Sequence, residues 1–282
     1  MNSEAILQKI EQSAQLISLP EIYLHLRELL ADPDYTMAEV AILVGRDPAL
    51  ATRFLRVVNS PLNRRAKKIE TVSHAVSLLG SRQVHDIALG AAIAEAFDGV
   101  LIDLMSMKQF WQRSVYCAVT AQQLAAASDE IDSERLFVMG LLHDIGHLFM
   151  YLAIPSEAQQ AILQAREQEV PLYQVERELL NFDYSQVGSN MMRKWNLPKS
   201  LQMTTRFHVE PNISGQFPLE TALLHLSSLL VQSDLENGQF GTGAFVADES
   251  VWSTTGLTVE QCLSVQSEAA EQFDAVAKSL FP

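Results

Sequence analysis

Cysteine is nearly missing from this chain: Cys117 and Cys262 are the only two in 282 residues. Two thiols do not make a disulfide framework, so a reducing, cytoplasmic compartment is expected. Glycine (12) and proline (10) are scarce and fall mostly as punctuation between longer segments. Basic residues are outnumbered, 20 Lys and Arg against 34 Asp and Glu, which leaves a net charge of −14. Such a balance repels nucleic-acid backbones and anionic membranes, so neither is expected as a partner. No apolar–polar alternation runs long enough to predict a strand, and there is no internal repeat or low-complexity tract. The opening segment, MNSEAILQKIEQ, carries acids and lacks a basic region followed by an apolar core, so it does not read as a signal peptide. The longest apolar run, Leu136 to Ile154, is interrupted at its centre by His143, Asp144 and His147. A membrane span would place these groups at mid-bilayer, so the run reads as a buried helix.

What is present favours helices. Apolar residues make up 48% of the chain and charged ones 19%, which is ordinary globular composition and excludes wholesale disorder. Apolar spacing predicts a first amphipathic helix over residues 3–15 and a second from Pro20 to about Leu30. Thr36 with Glu39 forms a capping box, followed by the stripe Met37, Val40, Ala41 and Val44. Asp47 and Pro48 then open a helix that turns Leu50, Phe54, Val57 and Val58 inward. The pattern repeats at Val72, Ala75, Val76 and Leu79, and after a break at Gly80 at Val84, Ile87, Ala88 and Ala91. Residues 98–108 read as a connection. Helices are predicted at about 109–127, 134–153, 156–168, 172–181, 184–195, 199–207 and 219–231, separated largely by X-Pro boundaries. Residues 237–256 read as a long loop, and Thr258 with Gln261 caps a last helix reaching Leu280.

One basic stretch stands out in the acidic background: Arg53, Arg56, Arg64, Arg65, Lys67 and Lys68. A solvated surface is the plain explanation, and a site for an anionic group or an acidic partner the sharper one. The helices around Gly45–Pro48 also resemble a helix-turn-helix, but the acidic balance weighs against DNA.

The chemistry sits in GLLHDIGHLFMY, residues 140–151. Burying a carboxylate beside an imidazole is costly unless both are satisfied. A divalent ion would satisfy them, since His and Asp are ligands for such ions. A purely structural pair, with Asp144 holding a nearby donor, would do so too. His147 lies one turn beyond His143 on the same face, so a third group is within reach.

His143-Asp144-Ile145-Gly146 resembles the signature of the HD superfamily of metal-dependent phosphohydrolases. The surroundings resemble its HDOD branch: Ser18-Leu19-Pro20-Glu21, Arg46-Asp47-Pro48-Ala49-Leu50 leading to Val58-Asn59-Ser60, and IETVSHAVSLLG over residues 69–80. Phe110-Trp111, GLLHDIG and Trp195-Asn196-Leu197-Pro198 follow in order. The resemblance covers about residues 12–212 and leaves 213–282 as a helical extension. It implies a metal held by a His on an earlier helix, the HD pair, further His residues and a late Asp. Here Arg113 stands at the first position, and a guanidinium cannot ligate a cation. Ser185 stands where many relatives carry His, and Ser227-Ser228 where the late Asp is expected, with Asp234 out of register. His208 matches. His143, Asp144 and His208 therefore remain as metal candidates, with His147 and Asp183 as local substitutes and Arg113 as a pocket residue that would pair with Asp144.

The expected architecture is all-α: an N-terminal helical subdomain over 1–108 packed on a multi-helix HD-domain-like bundle over 109–282. The resemblance implies bacterial signal transduction, with a non-catalytic regulatory module acting through contacts with other signalling proteins. In that reading no cofactor is expected, and the metal site is degenerate. The alternative is an HD-type phosphohydrolase acting on a nucleotide or other phosphoester, with Fe, Mn, Zn or Mg at the site.

Overall fold

The computed structural model describes residues 3–15, 17, 19–59, 68–97, 100, 102–128, 131, 133–211, 215–237 and 246–280. Among the described residues every regular element is a helix. The first four are α1 (Ser3–Gln15), α2 (Glu21–Ala31), α3 (Met37–Arg46) and α4 (Pro48–Val58), and their ends follow local chemistry. Thr36 and Glu39 cap α3 reciprocally. Asp47 Oδ1 accepts the Leu50 amide at 3.0 Å and caps α4. The predicted stripes are buried at Val40, Ala41, Val44, Leu50, Phe54 and Val58, while the Val57 side chain lies outside the described residues. Asn59 then clamps the chain that returns at residue 69. It donates to the carbonyls of Leu55 and Ile69 and accepts from the Ile69 amide. Arg64, Arg65, Lys67 and the Arg53 side chain lie outside the described residues, and Arg56 and Lys68 are exposed.

The next helix, α5 (Val72–Ala96), consists of two arms that meet at Gly80, where φ is 75° and ψ 167°. Then come α6 (Met107–Ser128), α7 (Ser133–Leu142), α8 (Ile145–Ala153), α9 (Pro155–Gln168), α10 (Leu172–Leu180), α11 (Tyr184–Lys194) and α12 (Lys199–Phe207). The chain closes with α13 (Pro218–Asn237), α14 (Glu249–Thr255) and α15 (Val259–Leu280).

Two expectations are corrected. The single helix predicted over 134–153 is two, α7 and α8, with His143 and Asp144 at the break between them. Apolar residues are buried on every side of both helices, so no periodicity marks the junction. The loop predicted over 237–256 contains α14. Its Ser- and Thr-rich sequence hides a helix that depends on packing: Val251 is buried, and Trp252 Nε1 donates to the Ala247 carbonyl at 3.1 Å. Gly256 ends it in a left-handed conformation.

Helix α6 forms the spine, packed against α7, α13 and α15, and α11 packs against α8 and α12. Contacts also cross the line at residue 108. Helix α5 packs on α7, α1 on α8, and α15 on α4. One apolar cluster accordingly runs from Ile10 and Phe54 through Leu124 and Met139 to Leu226 and Val276. The stretch Ser133–Ala153 has the length and composition to cross a membrane, but 89% of its apolar window is buried inside this fold.

Candidate metal centre

Two glycines let the backbones around His143 and Asp144 meet. A Cβ on Gly140 would stand 2.6 Å from Ala118 Cα, and one on Gly146 only 1.9 Å from the Tyr184 carbonyl oxygen. The crossings of α7 on α6 and of α8 on α11 are therefore backbone contacts. They place the α7–α8 break against both partners.

Asp144 occupies the N-cap position of α8, yet its side chain makes no capping bond. The carboxylate is turned into the site instead. Its Oδ2 lies 3.5 Å from Arg113 Nε on α6, and its Oδ1 lies 3.2 Å from His143 Nε2 and 4.0 Å from His208 Nε2. Oδ1 is buried and meets no hydrogen-bond donor at good geometry. His143 Nδ1 donates to the Gly140 carbonyl at 2.7 Å. His208, at the end of α12, donates from Nδ1 to the Thr205 carbonyl at 2.8 Å. These bonds orient both Nε2 atoms toward Asp144 Oδ1, as backbone carbonyls orient metal-ligating imidazoles. His143, Asp144 and His208 are 1%, 3% and 1% exposed, and one ligand atom from each lies within 4.8 Å of the others.

Charge in this pocket is balanced locally. Burial opposes ionisation of both His143 and Asp144, but their mutual attraction outweighs it. The imidazole is held well above its ordinary value of 6.5, and the carboxyl, helped also by Arg113, well below the usual carboxylate range. Burial pushes His208 down to about 3 and leaves it neutral. The space around Oδ1 thus calls for one positive charge, supplied by a proton on His143 or by a cation.

The remaining predicted site residues lie elsewhere. His147 is not in the cluster. Its ring stacks on Tyr184 with centroids 3.8 Å apart and on Tyr151 at 5.3 Å, its buried Nδ1 has no partner, and burial lowers its pKa to about 4. Asp183 is committed to structure: it caps α11 through the Gln186 amide at 2.9 Å, accepts from Ser185, and takes the Arg177 guanidinium. Ser185 also donates to the Arg206 carbonyl. Ser227 bonds back to the Leu223 carbonyl within α13, and the Asp234 side chain lies outside the described residues.

Sequence reasoning missed Tyr184 and Glu176. Tyr184 Oη lies 3.4 Å from His208 Nε2, and its amide donates to Glu176 Oε2 at 2.9 Å. Glu176 is fully buried with Oε1 unpartnered, and burial raises its pKa from 4.5 to about 8. A signal existed: Leu172, Glu176 and Leu180 are four residues apart and share one helix face.

An all-α bundle with a His-Asp pair at the junction of two core helices agrees with the resemblance of the sequence to HD-type proteins, and relatives narrow it further. The chain belongs to the HDOD domain family, whose profile matches residues 16–211. An uncharacterized protein of Treponema pallidum is 24% identical over 191 residues, a match that covers 67% of this chain and 37% of that protein. The chain therefore spans little more than a third of that relative. Among solved structures, a candidate phosphohydrolase from Shewanella amazonensis SB2B aligns with TM-score 0.76 and 21% identity over 98% of both chains. An HDOD domain protein of unknown function from Geobacter sulfurreducens aligns with TM-score 0.73 and 20% identity, over 98% of this chain and 97% of that one. A candidate signal transduction protein from Marinobacter aquaeolei VT8 aligns with TM-score 0.72 and 20% identity, over the whole of this chain and 67% of its own. These likenesses extend the shared fold through α13–α15, beyond the HDOD match.

The donor set fits a cation: two imidazole Nε2 atoms whose rings are held by backbone carbonyls and a buried carboxylate oxygen without a hydrogen bond, all from His143, Asp144 and His208. A divalent ion held there would supply Lewis acidity. Three protein donors are at the lower limit for such a site.

Proposed function

We propose that this chain is a regulatory HDOD module of bacterial signal transduction that works through protein contacts and does not turn over a phosphoester at its HD pair. The observation that carries this reading is the Arg113–Asp144 pair, 3.5 Å apart. Arg113 stands where the resemblance calls for a histidine ligand, and its fixed positive charge competes with a cation for the same carboxylate. Asp183, Ser185 and Ser227 are all bound to structural partners, so none of them makes up the missing ligands. Signalling proteins are the partners this reading calls for, and a cytoplasmic setting suits two free, buried cysteines.

A second reading, metal-dependent phosphoester hydrolysis, is favoured by Asp144 Oδ1, buried without a hydrogen bond, and the two oriented imidazoles. Elemental analysis of freshly purified protein, with turnover of generic phosphomonoesters and diesters, separates the two. The regulatory reading expects no turnover, no stoichiometric metal in the wild type, and a gain of bound metal in Arg113→His. Stoichiometric Fe, Mn or Zn with turnover, both lost in His143→Ala, overturns it.

A further inference from the structure

A cavity of about 340 Å³ opens apart from the HD pair, where α2 and α5 face α7 and the start of α12. Its polar wall carries Arg82, His85 and Asp86 from α5, Arg135 from α7 and Ser200 from α12, and Leu30, Val138 and Leu201 form its apolar wall. Two guanidinium groups on one cavity are notable in a chain of net charge −14. Arg82 is exposed and Arg135 half-buried, and Arg135 donates to the hydroxyl of buried Ser200. The wall's one carboxylate, Asp86, is engaged: it lies 3.0 Å from His85 Nδ1, and His85 Nε2 lies 3.0 Å from the hydroxyl of buried Tyr23.

A third source of positive potential meets the same space. Pro198 is the N-cap of α12 and has no side-chain group to cap it. The first-turn amides of that nine-residue helix therefore begin at the cavity wall without a side-chain acceptor. Guanidinium forks beside a helix N-terminus are a phosphate-binding arrangement, and the cavity falls in the size range of small-molecule sites.

We propose that this cavity binds a phosphomonoester of mononucleotide size, with the phosphate between Arg82, Arg135 and the start of α12 and the base against Leu30, Val138 and Leu201. The site is independent of the HD pair and of the role assigned to it, and none of its wall residues belongs to that cluster. Helix α12 nonetheless joins them, beginning at this cavity and ending on His208.

Titration calorimetry of the full chain with adenosine, guanosine, cytidine and uridine 5′-monophosphates tests the assignment. The expected result is saturable binding of at least one nucleotide, weakened about tenfold or more by Arg82→Ala and by Arg135→Ala, and unchanged by His143→Ala. Arg82 is exposed, so Arg82→Ala keeps the fold, and its melting curve verifies this even if loss of the Ser200 bond destabilises Arg135→Ala. No saturable binding of any of the four nucleotides overturns the proposal. So does binding that survives Arg82→Ala with Arg135→Ala, or binding abolished by His143→Ala, which would place the nucleotide at the HD pair.

Discussion

Asp144 shows how a residue's neighbours decide its use. At the start of a helix an aspartate ordinarily caps the first-turn amides, but here its carboxylate faces His143 and Arg113. Gly146 is equally dependent on context. Its backbone angles are ordinary, and its constraint is the Tyr184 carbonyl, 1.9 Å from where a Cβ would sit. Backbone cannot swing aside as a flexible side chain would, so Gly146→Ala should cost about 1–3 kcal/mol or more through overpacking. Urea denaturation measures this, and a variant as stable as wild type would show that α8 and α11 do not cross at backbone contact. Glu176 carries the pH dependence at this scale. Burial lifts its pKa from 4.5 to about 8. Between those values the folded chain keeps a proton that the unfolded chain has lost. Its contribution therefore makes stability fall as pH rises through the window, by up to about 1.4 kcal/mol per unit, and level off above it. Glu176→Gln removes that dependence. Its melting temperature should exceed that of wild type by a margin that widens from about pH 5 to about pH 8. A constant margin would mean that the Glu176 carboxyl titrates normally.

Among the elements, helix ends set by a local hydrogen bond were legible in the sequence. The Thr36–Glu39 box and the reciprocal Thr258–Gln261 pair both form as their spacing predicts. The α7–α8 break was not legible, because no proline or capping bond marks it and apolar residues are buried on both sides of it. Helix α14 was missed because its sequence is a poor helix former, and packing of Val251 and Trp252 compensates. Gly80 is the opposite of Gly146. Open space surrounds it, but φ 75° with ψ 167° is a region that only glycine enters freely. Gly80→Ala should therefore cost about 1–3 kcal/mol from backbone strain alone. Thermal melts of Gly80→Ala against a Ser81→Ala control test this, and equal melting temperatures would mean that the two arms of α5 join without the kink.

At the scale of the whole molecule, the core ties both ends of the chain together, with α1 on α8 and α15 on α4. Fragments 1–108 and 109–282 made separately would each expose apolar surface that the other covers. Neither should show a cooperative melt alone, whereas the intact chain should unfold in one transition. Circular dichroism and calorimetry of the three proteins provide the check, and a cooperative transition in either fragment would mark it as an independent domain.

The sequence by itself determined that the chain is helical, where most helices begin and end, and that His143-Asp144 belongs to an HD-type run. Those properties rest on short-range physics: side-chain periodicity, capping bonds and proline sterics act within a few residues. Only the tertiary structure decided how the polar groups meet. The resemblance had named His208 and Arg113 as neighbours of Asp144, but their geometry on that carboxylate, the burial of Glu176 and the diversion of Asp183 to Arg177 came from the fold. Each of these outcomes depends on where distant backbones cross. The close contacts at Gly140 and Gly146 set those crossings, and no local pattern in the chain encodes which residues lie on the other side.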